Sequence, residues 1–201
     1  MRVDLHLHSR YSPDSASTLE AIIERCRACG LDRIALTDHN VVEGALKLAE
    51  MAPDLAIVGE EAKTREGEVI GLFITHRIPP FLRPEEAMDL IHQMGGFVYV
   101  PHPLDRNRAH YSGERLVELA PRIDIVEVYN PWAEAAANHA AARLAAELGK
   151  VTATGSDAHG VRELGRSWME MDPFGGPADF LEKLARARHV VTADSGTGRR
   201  S

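Results

Sequence analysis

Short apolar runs that each hand over to a histidine, an acid or an asparagine recur along this chain, and they restrict its fold more than any other feature. Val3-Asp4-Leu5-His6-Leu7-His8 opens the series. Arg33 to Thr37 delivers Asp38 and His39, Leu55 to Val58 leads to Glu61, and Phe97 to Val100 runs into His102. Ile123 to Val128 leads to Asn130, and Val151 to Thr154 feeds Asp157 and His159. Helical patterns fill the gaps. A stripe of Leu19, Ile22, Ile23 and Cys26 begins at a Ser17/Glu20 capping box and stops at Gly30; a second (Ala87, Leu90, Ile91, Met94) starts behind Pro84; an Ala-rich segment from Trp132 to Leu148 stops at Gly149. Strands alternating with helices at this spacing predict an α/β chain with a parallel β/α architecture. In a β/α barrel the C-terminal ends of the strands form one rim, where active sites are built. Residues from opposite ends of the chain then meet in one pocket.

Alternation along the first strand puts Asp4, His6 and His8 on one side and Val3, Leu5 and Leu7 on the other. The two imidazoles lie roughly 7 Å apart along the strand, which suits two ligands of one ion. A lone His-x-His reads more readily as the polar face of an edge strand; the downstream clusters reverse that preference and decide for metal. His6, His8, His39, His102 and His159 with Asp14, Glu61 and Asp157 mix imidazole and carboxylate. Such a set suits Zn, Mn or Fe better than Mg or Ca, which prefer oxygen. It exceeds the needs of one tetrahedral ion, so two or three divalent ions sharing a bridging carboxylate are expected. Such clusters carry out in-line displacement at phosphorus.

At 201 residues the chain fits one domain, drawn at 1–194, with a Gly-, Ser- and Arg-rich tail, Ser195–Ser201, expected to be disordered. A formal charge of −7 argues against a long nucleic-acid footprint or a membrane surface. No apolar run is long enough to span a bilayer and no leader pattern is present, so a cytoplasmic protein is expected. Cys26 and Cys29 have no second pair with which to hold zinc and continue a helical stripe, so they read as core.

His6-x-His8, Thr37-Asp38-His39, Gly59-x-Glu61, Pro101-His102-Pro103 and Gly155-Ser156-Asp157-Ala158-His159, in that order, resemble the motifs of the polymerase and histidinol phosphatase (PHP) family. The similarity runs from Asp4 to about Met171. The resemblance implies a distorted (β/α)7 TIM-like barrel of the PHP type, with up to three divalent ions (Mn, Zn or Fe) at its rim, and is strongest to stand-alone metal-dependent phosphoesterases. Carried over by position, it implies that His6, His8, Glu61 and Asp157 hold a first ion, that Glu61 bridges to a second shared with His102, and that Asp14, His39 and His159 hold a third. Asp14 stands where many relatives have a histidine, which shifts preference towards harder ions. Glu68 falls where others place a histidine and is expected to complete the second site.

The expected reaction is attack of a metal-activated hydroxide on a phosphate ester. Asp157 and His159 take part as ligands, and Asp38 accepts from a metal-bound water or orients His39. Arg106 and Arg108 are placed to clamp a phosphate. Asn130 either contacts substrate or caps a helix begun by Pro131, and Asp4 either orients a ligand histidine or bonds to backbone. The substrate class is a small phosphomonoester such as histidinol phosphate or a nucleotide, or an oligonucleotide end. Two alternatives stand beside this one: amidohydrolase-type C–N cleavage with Lys63 as bridge, and a metal-bound structural module without activity.

Overall fold

In the computed structural model the described residues are 1–192, so the expected tail at 195–201 lies outside them. The described residues form a 9-stranded sheet from β1 (Arg2–Leu7), β2 (Arg33–Leu36), β3 (Ala56–Lys63), β4 (Glu68–Leu72), β5 (Phe97–Val100), β6 (Ile125–Tyr129), β7 (Val151–Thr154), β8 (Ser167–Glu170) and β9 (Arg188–Val191). Their order is β7-β6-β5-β4-β3-β2-β1-β8-β9. The chain leaving β7 returns to β1, where Asp157 N donates to His6 O at 2.7 Å and His8 N to Ala158 O at 2.8 Å. Those bonds curl the sheet into a nearly closed barrel.

Helices α1 (Leu19–Cys29), α2 (Glu43–Met51), α3 (Pro84–Gln93), α4 (Gly113–Leu119), α5 (Ala135–Leu148) and α6 (Pro177–Leu184) accompany the strands. None is long and apolar enough to cross a membrane. α1 starts one residue later than its sequence pattern predicts, because the Thr18 hydroxyl, not that of Ser17, accepts from Ala21 N at 3.2 Å. Gly30 ends it in the left-handed region at φ 74°, as a C-terminal glycine does. Cys26 is buried on the apolar stripe of α1, and both cysteines are free thiols.

Three apolar clusters build the core. Ala35, Ile57, Ile70, Tyr99, Ile125, Ala153 and Met169, each from a different strand, fill the barrel with Val3 and Leu5. Outside, Leu7, Ile34 and Leu36 pack under α1 and α2, while Val69, Val98 and Val126 pack under α3 and α4. β1 therefore does not hold one phase: Val3 and Leu5 face inward, yet Leu7 faces out against α1. An irregularity in its register with β2 between Asp4 and Leu7 makes the change, and it lets His6 and His8 both enter the barrel. Asp4 is consequently not on the metal face. Its Oδ1 accepts from Ser156 N at 2.9 Å and His6 N at 3.3 Å, fastening β1 to the loop after β7.

The sheet is mixed rather than wholly parallel. β4 runs antiparallel to both β3 and β5, since Thr64 to Gly67 are too few residues for a crossover. β8, absent from the sequence reading, pairs antiparallel with β1 and β9. The reversal of β4 matters for function: its first residue, Glu68, arrives opposite Lys63 at the rim.

The seam between β1 and β7 has no room for a side chain at Gly155, where a Cβ would lie 2.4 Å from His6 Cβ and 2.9 Å from His6 N. Gly155→Ala is expected to lower stability by about 3 kcal/mol, towards the severe end for overpacking, and to displace His6. Urea unfolding checks the first effect and metal titration of the folded fraction checks the second.

Candidate metal centre

Six strands and their following loops bring the expected ligands together. His6 Nε2 and His8 Nε2 are 3.2 Å apart. Glu61 Oε2 lies 3.4 Å from each, and Asp157 Oδ1 lies 3.6 Å from the first and 3.3 Å from the second. Four donors around an ion at the ~2.05 Å typical of tetrahedral sites would be separated by about 3.3 Å. The observed spacings meet that test. Glu61 Oε2 is buried without a well-aligned hydrogen bond, its polar neighbours being the ring nitrogens of His6, His8 and His39 at 3.0–3.4 Å, an arrangement that suits a shared cation.

The other oxygen of Glu61, Oε1, is 3.0 Å from His102 Nε2, which lies 4.0 Å from Glu68 Oε2. Glu61, Glu68 and His102 form one possible ligand group. His8, His39 and His159 form another, with Asp14 Oδ2 3.4 Å from His39 Nε2 and 3.2 Å from His159 Nε2. His39 Nδ1 also stands 3.0 Å from Glu61 Oε2. Glu61 thus belongs to two of the possible ligand groups, one oxygen turned to each, and its Oε2 also borders His39 of a third. His102 and Asp157 adopt left-handed backbone, φ 28° and 47°, the kind of strain that persists where surrounding structure holds a site.

The electrostatics are those of a site wanting positive charge. Burial opposes a charge on His6, yet Asp157, Glu61 and Glu127 hold its pKa well above the usual imidazole range. Burial dominates at His8 and, with the His159 charge beside it, pushes its pKa down to about 3 against the pull of Asp157 and Glu61. Against burial, Glu61 and then Asp14 raise His39 to about 9. Glu61, despite burial, is held well below the carboxylate range by His6, His102 and His39, and Asp157 likewise by His6 and Arg108. Glu68 is raised by burial and by the Glu61 charge.

Neighbouring groups decide which nitrogen each histidine offers. The Ser12 hydroxyl donates to Asp38 Oδ1 at 2.8 Å and accepts from His39 N at 2.9 Å. Its single proton is thereby committed, so it can only accept from His8 Nδ1 at 3.3 Å. His8 Nε2 keeps its lone pair for the cluster. His159 Nδ1 donates to Asp157 O at 2.9 Å, which frees its Nε2 in the same way. The Asp38 carboxylate accepts from Ser9 N and Ser9 Oγ, both at 2.7 Å, and from Ser12 Oγ, so it holds the loop beside His8 and, through Ser12, the His39 backbone.

The arginines separate. Arg108 Nη2 donates to Asp157 Oδ2 at 2.6 Å and points into the site, whereas Arg106 is exposed and lines a ~580 Å³ groove with His110, Glu134 and Ala140 outside it. Asn130 caps no helix, because α5 begins at Ala135. Its Oδ1 accepts from Trp132 N at 2.9 Å, and its Nδ2 donates to Glu127 Oε2 at 3.0 Å and Asp157 Oδ2 at 3.2 Å. Its amide nitrogen thereby ties Glu127 to Asp157. Glu127 itself escaped the sequence reading. An acid inside the apolar run Ile125-Val126-Glu127-Val128 was the available sign, since a strand covered on both faces carries a charge only where something answers it.

A family model described as the PHP domain matches residues 4–124, and another described as PHP-associated matches residues 135–189. An uncharacterized protein from Methanocaldococcus jannaschii is 33% identical over 196 residues, covering 92% of this chain and 79% of its own length. Among solved structures, a two-domain protein from Bacteroides vulgatus containing a predicted PHP-like metal-dependent phosphoesterase superposes with a TM-score of 0.78 at 18% identity over 95% of this chain. This chain spans 64% of the length of that protein. An amidohydrolase from Chromobacterium violaceum with bound sulfate and no metal gives 0.69 at 17% identity, over 97% of this chain and 99% of its own. At such identities both likenesses are likenesses of fold.

Proposed function

Because the chain belongs to the PHP family, we propose that it is a metal-dependent phosphoesterase acting on small phosphate esters, with His6, His8, Glu61 and Asp157 holding a first divalent ion, Glu61, Glu68 and His102 a second, and Asp14, His39 and His159 a third. The observation that carries the reading is the position of Glu61 between overlapping ligand groups, with the Arg108 guanidinium beside them. When bound, Mn, Zn or Fe ions would lower the pKa of a water and neutralise charge on the phosphoryl oxygens. The chain's own residues do the rest. His8 and His159 present lone pairs because their other nitrogens are hydrogen-bonded, and Asp38 maintains that state at His8 through Ser12. Arg108, anchored on Asp157, has further N–H groups with which to take a phosphate oxygen, and its planar fork suits that geometry. Arg106, exposed on the same loop, is the second arginine available to the phosphate.

Amide hydrolysis is the weaker reading. Lys63, the one candidate for a bridging lysine, is exposed, and the bridging place is taken by Glu61. A net charge of −7 favours a small phosphomonoester or nucleotide over a long polyanion, with an oligonucleotide end as the largest substrate that fits the argument.

The test is hydrolysis of p-nitrophenyl phosphate and its bis-ester with added Mn²⁺ and again with chelator. Chelator-sensitive release of p-nitrophenol is expected, with the mono- to bis-ester ratio separating phosphatase from diesterase. Arg108→Ala should raise KM for the monoester about tenfold, the worth of one charge-assisted hydrogen bond. Turnover of amides but of neither ester by the metal-loaded protein would overturn the proposal.

A further inference from the structure

Glu127 sits on the inner side of β6, fully buried, between the apolar filling of the barrel and the ligand cluster above it. Every group around its carboxylate points hydrogen at it. Oε1 receives Tyr99 O–H at 2.8 Å and faces His6 Nδ1 at 3.1 Å. Oε2 receives the His102 backbone N–H at 2.6 Å and Asn130 Nδ2 at 3.0 Å. An ionised carboxylate only accepts, with about two lone-pair sites on each oxygen, so these partners fill it and His6 Nδ1 must carry a proton.

We propose that Glu127 is a positioning residue that fixes His6 as the Nδ1–H tautomer, leaving the Nε2 lone pair to the metal, while also holding the His102 turn and, through Asn130, Asp157. The inference rests on the metal-binding reading of the site. It differs from an ordinary structural role because one carboxylate connects β1, the β5 turn and the β7 loop, each of which supplies a ligand.

Glu127→Gln exposes the logic. Glutamine keeps the shape but turns one acceptor oxygen into a donor NH2, which must face one of the two pairs of donors. The backbone N–H of His102 cannot surrender its proton. Tyr99 can rotate its hydroxyl, and His6 can move its proton from Nδ1 to Nε2. The amide NH2 therefore settles towards His6 and Tyr99, and the proton lands on the nitrogen that should bind metal. Tyr99→Phe removes a neighbouring donor to the same oxygen and leaves His6 its partner.

The experiment is a Zn²⁺ titration of wild type, Glu127→Gln and Tyr99→Phe, with circular dichroism to establish folding and ¹⁵N side-chain spectra of the Zn²⁺-loaded proteins. Zn²⁺ binding is expected to weaken 10- to 100-fold in Glu127→Gln and to change less than about threefold in Tyr99→Phe, the smaller effect of losing one neutral donor. In loaded wild type the His6 resonances should show a protonated Nδ1 and a coordinated Nε2. Unchanged affinity in a folded Glu127→Gln protein, or coordination of wild-type zinc through His6 Nδ1, overturns the inference. Failure of the underlying reading looks different: wild type itself would then bind no zinc.

Discussion

Glu61→Gln should abolish turnover while leaving a folded barrel, with kcat/KM for a phosphate ester falling by three orders of magnitude or more, a loss of about 4 kcal/mol in transition-state stabilisation. The size follows from the two oxygens. Oε2 faces His6, His8 and His39, and Oε1 faces His102. A carboxamide offers one weak oxygen donor and one N–H2 group that repels a cation, so it cannot serve both sides. Bound Mn²⁺ per chain after dialysis should fall by more than one ion. Asp14→Ala is the comparison, since Asp14 pairs with His39 and His159 and is half-exposed. It should cost one ion and a smaller share of activity. A Glu61→Gln protein that retains the wild-type metal content would show that Glu61 is not the bridge.

The polar residues closing the apolar runs were enough to place His6, His8, His39, Glu61, His102, Asp157 and His159 on one rim, because a β/α barrel leaves strand ends nowhere else to go. Residues whose position depends on more than strand parity were harder. Strict alternation assigned Asp4 to the metal face, and only the irregularity in β1 shows that the phase changes before Leu7. Glu68 reaches the site because β4 is antiparallel, which the four-residue turn before it already required. Arg106 and Arg108 share a loop of no periodicity, so nothing local distinguished the one that meets Asp157. Ser12 and Glu127 act by choosing which hydrogen goes where, and hydrogen-bond partners more than a hundred residues apart, such as His6 and Glu127, leave no local pattern.

Metal-free protein should lose stability as pH rises from 6.5 towards 9, opposite to the behaviour of a chain whose ligand histidines are held neutral. His39 has its folded pKa raised to about 9 from an ordinary 6.5. A group so raised binds a proton more tightly when folded, so its contribution is complete below pH 6.5 and disappears as pH passes through about 9. His6 is shifted in the same direction. Of the other groups, His8, lowered to about 3, and Asp4, raised to about 6, act mostly below this window, and Glu60, which burial raises to about 7, loses its share at the window's lower end in the same direction as His39. The His39 shift alone corresponds to roughly 3 kcal/mol, or a fall in Tm of about 6–12 °C for a domain of this size. Bound divalent ions take over the charge that the protons supplied, so the loaded protein should not show this decline. Metal binding then releases protons, and its apparent affinity should climb over the same interval. Thermal unfolding at pH 6.5, 7.5 and 9, with chelator and with saturating Mn²⁺, measures both curves. A gap between them that widens with pH is the expected result; a metal-free Tm that stays level or rises would mean that protons do not occupy the place assigned to metal.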